Sequence, residues 1–565
     1  MNHLVTSFKK SVTLLLFLTA ALPALATDQD DWRKAVISIT TYDSDGKLIH
    51  SGNGFFIGEN GEAIASYALL EGASKAVAID ANGKKHDVMR ILGASQNYDL
   101  VRFQVGTNKN NWIPISTTDV SQGEQLTVVP YSIDKKSASI AATVSETSKF
   151  DRYAYYTLTS ENAERLVGCP VITGNGEVVA ITQLNVSPGA KGICAIDVEA
   201  GKDLHVNTLS YMNKDLQSIH IQKALPSKEE DALSYLYMFS MSLKDSAACA
   251  IAFDDFIRAY PENGDVYLSR AEFYALHADY SRAEADIEHV TKDYKDKAAE
   301  AHYTLSKLVY NKIVNNPQPA YKDWTAEKAL AEAQAACDIS IQPLYRLQLG
   351  YCQFVLKQYE KACETFLSLA GTDMESSESY YYAARSLELS GGDSLRVLAL
   401  ADSAVARCER PLTVAGAPFV LARAGYRMRC GLYREAAADY SDYENAIGSR
   451  NLNAHFYYLR EQAELNGRMY QQALDDIDKA ISLEADAPLY HLERAALMLR
   501  VGENEEALRS AQQAQKLSPD NADAYLLAGI ALGELGQKAQ ALEALNSAKA
   551  KGSTDAEAYI GQYSK

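Results

Sequence analysis

The chain has 565 residues and a formal net charge of −18. That length exceeds what one hydrophobic core supports, so more than one folding unit is expected. The acidic balance argues against nucleic-acid binding, which needs a basic stripe. Eight cysteines (Cys169, Cys194, Cys249, Cys337, Cys352, Cys363, Cys408 and Cys430) form no CxxC pairs and have no histidines at ligand spacing, so neither a metal site nor a cofactor is expected. Most of them fall at apolar helical positions, where a thiol serves as a small buried side chain.

Residues 1–26 carry a basic start, MNHLVTSFKK, then an apolar run ending in Ala24-Leu25-Ala26. This is the pattern of a secretory signal, with cleavage expected after Ala26 and export to the periplasm or the cell exterior. The apolar run is short for a bilayer span, and no later window is apolar enough to cross one.

The next stretch reads as short β-strands. Val36–Thr40, Asn53–Ile57 and Lys75–Ile79 are separated by turn signals at Asp45-Gly46, Glu59-Asn60-Gly61 and Asn82-Gly83. Further runs follow at 100–105, 125–129, 153–159, 177–183 and 192–197, so an all-β barrel or sandwich is expected. The run S-G-N-G-F-F-I-G-E-N-G-E at Ser51–Glu62, Asn97-Tyr98-Asp99-Leu100-Val101, Gln122-Gly123-Glu124-Gln125-Leu126 and the run Gly168–Ile181 occur in that order. Together they resemble bacterial trypsin-like serine proteases of the Deg/HtrA type. The resemblance implies two six-stranded barrels with a cleft between them, over residues 27–222. It also implies where a triad would lie. The histidine position holds Ala68, the aspartate position Asp99 and the serine position Val167. A hydroxyl nucleophile needs a base to take its proton; alanine accepts none and valine donates none. No catalytic residue is therefore expected. Cys169, two residues beyond the serine position, is left without a base; it reads as a buried thiol or, because the family's segments bring both near one pocket, as half of a disulfide with Cys194. His50 and His86 lie outside the expected motif.

Residues 223–229, around Pro226-Ser227, read as a linker, and the period changes after it. In 488–553, Ala495 lies 34 residues from Gly529, Ala507 from Ala541 and Ala514 from Ala548, while Ala511 meets the larger Leu545. Small residues at repeat positions 8, 20 and 27 of a 34-residue period resemble the tetratricopeptide repeat (TPR). About nine such helix pairs fill 230–565, with a cap after Asp555. The first places Tyr237, Cys249, Phe253 and Phe256 at packing positions, and Tyr310–Trp324 interrupts the third. One helix pair cannot bury its apolar face alone, so the pairs must stack into an all-α solenoid.

The resemblance implies a concave face lined by the first helix of each pair. On it are expected Leu347, Tyr351, Phe354, Tyr381, Arg385, Met428, Tyr458 and Gln462, an aromatic groove suited to a protein or peptide segment. The expected function is an exported, non-catalytic protein-binding scaffold. The alternatives are an endopeptidase with a rearranged site and a periplasmic chaperone or assembly factor.

Overall fold

A computed structural model describes residues 29–134, 139–241 and 246–564. The signal segment and its cleavage point lie outside the described residues. The chain divides into two compact units, Met1–Phe273 and Tyr274–Lys565.

The first unit is built on two closed six-stranded antiparallel barrels. The first comprises β1 (Val36–Tyr42), β2 (Leu48–Phe56), β3 (Glu62–Ala65), β4 (Lys75–Ile79), β5 (Lys85–Ser95) and β6 (Leu100–Val105), closing in the order β1-β2-β3-β6-β5-β4. The second comprises β7 (Gln125–Val128), β8 (Ile140–Phe150), β9 (Tyr153–Leu158), β10 (Pro170–Ile172), β11 (Val178–Gln183) and β12 (Ile193–Asp197), closing as β10-β11-β12-β9-β8-β7. Side chains alternate across a strand, so a strand between two cores can serve both. On β1, Ile37 and Ile39 fill the first barrel while Val36 faces the second. On β3, Ala63 and Ala65 point inward while Ile64 joins Phe55 and Leu100 in the layer between the barrels. On β12, Ile193 and Ala195 fill the second barrel and Ile196 joins the shared layer with Ile172 and Ile181. That layer fixes the two barrels against each other.

After β12 the chain runs back over the first barrel. Gly72 donates to the Ser218 carbonyl at 2.9 Å, His220 to Ala73 at 2.8 Å, and Ile91 to Gln222 at 2.8 Å, while Ala224 donates to Ile91 at 2.8 Å. The expected linker is thus partly strand-paired: Lys223 bridges Ile91, and Leu225 packs on the barrel core. Helix Glu229–Met241 follows and adds Tyr235 to that core. Helix Ser246–Ala259 is held by Arg90 of β5, whose Nε and Nη2 each reach a carboxylate oxygen of Asp255 at 2.8 Å. Cys249, Phe253 and Phe256 are buried as expected, but Tyr237 is 53% exposed. The packing positions of that first helix belong to Ala232, Tyr235 and Leu236.

The second unit is a succession of helix hairpins. Its small residues are where stacking demands them: Ala283, Ala362, Ala384, Ala424, Ala436, Ala473, Ala495, Ala507, Ala541 and Ala548 are all fully buried. Gly350 and Gly529 lie at the tightest crossings. A Cβ on Gly350 would meet the Phe366 ring at 2.8 Å, and one on Gly529 would meet Leu545 at 2.6 Å. Leu545 therefore replaces the alanine of the preceding repeat by occupying the space that Gly529 vacates. The period-breaking stretch between helices Ala298–Asn315 and Ala326–Ile339 is tied down by Lys312, whose Nζ donates to the Asn316 and Pro319 carbonyls, and by one carboxylate. Glu284 of helix Tyr280–Asp293 accepts from Lys322 Nζ (2.7 Å), Lys328 Nζ (3.1 Å), the Trp324 indole (3.2 Å) and the Tyr321 hydroxyl (3.4 Å). Tyr280 packs against both Tyr321 and Trp324, with ring centroids 5.4 and 5.1 Å away. At the far end, Tyr563 of helix Ala556–Tyr563 covers Gly533 and donates to Glu534 at 2.7 Å, closing the last hairpin.

Candidate functional site

Asp99 sits at the tight turn between β5 and β6 with φ of +49°, a conformation unusual for a residue with a side chain. Strain of this kind persists only where the surroundings over-determine it. Here they do: the Ser66 hydroxyl lies 2.8 Å from both carboxylate oxygens, and the Ala68 N–H donates at 3.0 Å. Burial raises the Asp99 carboxyl above its ordinary range, and the bonds from Ala68 and Ser66 oppose that rise. Ala68 belongs to the short turn Tyr67–Leu69 that follows β3, and its methyl group is exposed. Its neighbour Tyr67 is buried and shares a 2.5 Å hydrogen bond with Ser218 of the returning segment. The partners of Asp99 are thus the Ser66 hydroxyl and the backbone of Tyr67 and Ala68. His86 is committed to Asp80 at 3.2 Å, and His50 lies on an exposed part of β2.

Val167 closes a second short turn, Glu164–Leu166. Both turns lie against β2. The Asn53 amide of β2 donates to the carbonyls of Arg165 (3.0 Å) and Val167 (2.9 Å), and Gly168 packs directly on the Asn53 carbonyl. A Cβ at Gly168 would come within 2.4 Å of that oxygen, and its φ of +78° suits glycine, so this position admits no other residue without rearrangement. The Val167 N–H donates to the Glu164 carbonyl at 3.0 Å. The Val167 N–H is therefore spent inside its own turn.

Cys169 is fully buried in the second barrel, and burial pushes its thiol up to about 12. At neutral pH it is a thiol, which is a poor nucleophile. The disulfide with Cys194 is not formed; both cysteines are free. The reason is strand parity. Cys169 packs with Ile193 and Ala195 inside the barrel, whereas Cys194 lies between those two and points the other way, to the Tyr155 hydroxyl. Beside Asp99 lies an aromatic cluster. Tyr98 makes edge contacts with Phe150 (5.9 Å) and Tyr153 (5.4 Å), and its hydroxyl donates to Asp151 at 2.8 Å. From the second barrel, Gln183 donates to the Tyr98 carbonyl at 2.6 Å.

On the helical array, the eight residues expected on the binding face are all half-buried. Leu347, Tyr351 and Phe354 pack around Phe366 and Tyr382, joining one hairpin to the next. Tyr381 meets Phe419 at 5.6 Å, Tyr458 meets Tyr490 at 5.9 Å, and Met428 packs in the core that Ala424 and Ala463 share. Arg385 is paired with Glu388, and Gln462 donates to Glu461 and Glu493. Each of these side chains therefore serves inter-repeat packing as well as presenting a surface.

A second set of residues went unread in the sequence. Arg423 grips Asp439 with Nε and Nη2 (3.0 and 2.6 Å), and Arg460 grips Asp476 in the same way (2.6 and 2.8 Å), 16 residues apart in both cases. Arg494, one repeat on, finds Ser510 at the equivalent place, at 2.7 Å. The signal was present as an arginine just before repeat position 8 of the first helix, where Ala424, Glu461 and Ala495 stand, and an aspartate or serine three residues after the small residue of the second.

No family model matches the chain. A curated relative, the small glutamine-rich tetratricopeptide repeat-containing protein 2 of Mycosarcoma maydis, is 34% identical over 80 residues, which is 14% of this chain and 23% of that protein. Among solved structures, the serine endoprotease from Yersinia pestis aligns with a TM-score of 0.27 and 15% identity, over 33% of this chain and 65% of that one. The chain thus spans under a quarter of the curated relative's length and just under two thirds of the endoprotease structure. Among the described residues no helix is long and apolar enough to cross a membrane.

Proposed function

We propose that the chain is an exported, non-catalytic protein-binding scaffold: a trypsin-like pseudoprotease of the Deg/HtrA type joined to tetratricopeptide repeats. The observation that carries this reading is the surround of Asp99. Where a triad would place an imidazole between a carboxylate and a hydroxyl, the carboxylate is taken up by Ser66 and by the backbone of Ala68. Without a base, no hydroxyl or thiol in the cleft can be activated. Two further features support the reading: the Val167 N–H is spent on Glu164, and the Cys169 thiol is held protonated by burial. The half-buried aromatic face of the repeats supports a protein or peptide ligand, since amphipathic rings at such positions are the usual anchors of recognition. The sequence of residues 1–26 supports export.

The purified chain from residue 27 is expected neither to cleave unfolded protein substrates nor to label with a serine-directed fluorophosphonate. Crosslinking in intact cells is expected to recover a protein partner on the repeats. Turnover that survives purification and disappears in Asp99→Ala would overturn the non-catalytic reading.

A further inference from the structure

One repeat departs from the small-residue rule at its tightest position. Where Ala424, Ala495 and Gly529 stand in the flanking repeats, helix Ala454–Asn466 carries Glu461, which is fully buried. Three residues on, Glu464 is 4% exposed. A carboxylate at a helix crossing has to be paired or neutral, because an isolated buried charge is far too costly.

The charges around it can be followed element by element. The guanidinium in the cluster is Arg460, and its fork is already occupied. Nε and Nη2 hold Asp476 of helix Tyr470–Leu483, and Nη1 holds Glu444 of helix Tyr433–Ile447 at 2.7 Å, with the Ser441 hydroxyl at 3.4 Å. Glu464 Oε1 approaches Arg460 Nε only to 3.9 Å, and its Oε2 has no hydrogen-bond partner. From the next helix, Pro488–Val501, Glu493 faces Glu461 across Gln462, whose amide donates to both (2.8 Å to Glu461, 3.3 Å to Glu493). Glu461 Oε1 has no partner. Arg494 on that helix is drawn to Asp478, Glu506 and Ser510 instead, and His491 is bonded to the Ala485 carbonyl. Three carboxyl groups therefore converge on one guanidinium that serves two of them, and two more, Glu461 and Glu493, share only the Gln462 amide.

We infer that Glu461 and Glu464 are carried as neutral acids, and that this junction of the array is a proton-linked joint, tightly packed while both hold their protons and loosened when they lose them. The direction follows from burial. Desolvation, with Glu493 and Asp476 adding repulsion, pushes Glu461 up to about 7. Burial and the neighbouring Asp476 push Glu464 up as well, and Asp476 gains from sharing that proton. An acid whose folded-state value is raised contributes its stability fully below the unfolded value, near 4.5, and loses it as pH rises through the folded one. The joint is thus firm in mild acid and weakens across neutrality.

Hydrogen exchange on the intact chain tests this, comparing peptides from 454–466 and 470–483 at pH 6 and pH 8.5 after correction for intrinsic rates. The opening equilibrium of these helices is expected to grow roughly tenfold from Glu461 alone over that interval, with Glu464 adding to it. Helices 504–517 and 522–534 are expected to stay level. The double variant Glu461→Gln/Glu464→Gln should abolish the pH dependence. Glu461→Ala, which restores the residue type of the flanking repeats, should fold and should raise Tm more at pH 8.5 than at pH 5.5. Protection in 454–483 that is level with pH in the unmodified chain, or a Glu461→Ala gain equal at both pH values, would overturn the inference.

Discussion

Replacing Glu284 by glutamine removes a charge and leaves the shape. The carboxylate is 9% exposed and receives four donors from the stretch that interrupts the repeat period, two of them ammonium groups. Those donors hold it well below the usual carboxylate range, at about 2 against an ordinary 4.5. A displacement of that size corresponds to about 3 kcal/mol of linked stability. Lys322 is more than half exposed, and solvent screening of that pair brings the expected cost of Glu284→Gln to about 2 kcal/mol. Because a repeat array transmits instability only to its neighbours, the loss should stay local. The 316–325 stretch should gain exchange by at least roughly tenfold at pH 7, and the buried Trp324 should shift its fluorescence to the red. Trp324 is one of three tryptophans in the chain, so the measurement is best made with Trp32 and Trp112 changed to phenylalanine. The sign with pH is the reverse of that at Glu461. A depressed value gives stability that is complete above about 4.5 and disappears as pH falls toward 2, so the unmodified chain should release this stretch in acid while the glutamine variant shows no such transition. Unchanged protection at pH 7 in Glu284→Gln would refute the idea that one carboxylate holds the insertion.

Gly529→Ala should cost roughly 1–3 kcal/mol by overfilling the crossing with Leu545, and adding Leu545→Ala should recover part of it, as a double-mutant cycle in thermal melting would record. Arg90→Ala should loosen helix Ser246–Ala259 from the first barrel, seen as faster exchange in 246–259 with the barrel strands unaffected. Tyr381→Ala combined with Tyr458→Ala should abolish capture of the cellular partner; because both rings pack on neighbouring aromatics, it should also lower Tm. Normal capture by that variant would move the binding site off this face.

The stacking code was legible because it is a matter of volume. Alanine or glycine every 34 residues is what two helices in close contact require, and each such position that was named is buried. The all-β character of the first unit was legible from turn residues and strand period, whereas the pair of six-stranded barrels was legible only as what the protease resemblance implied. Other features depended on more than residue type. The register of the first helix slipped by two residues, from Tyr237 to Tyr235, because that helix packs on the first barrel's core rather than against repeats on both sides. The cysteine pair failed on parity, which the run Ile193-Cys194-Ala195 states plainly once β12 is recognised as a strand with its odd-numbered side inward. The residues expected on the aromatic face are half-buried and lean on the next hairpin, which sequence spacing alone does not say. Glu461 was visible as an exception to the small-residue rule; what it faces was not, because its neighbours come from three other helices.

The hydrogen bond from Val167 to Glu164 limits what a change of side chains alone could do in this region. A chain carrying Ala68→His and Val167→Ser would gain an imidazole and a hydroxyl, yet the amide at position 167 would still be turned into its own loop, and the Asn53 amide would still hold the carbonyls on either side of Leu166. Two substitutions would alter the side chains and leave the backbone from Glu164 to Gly168 with the partners it has.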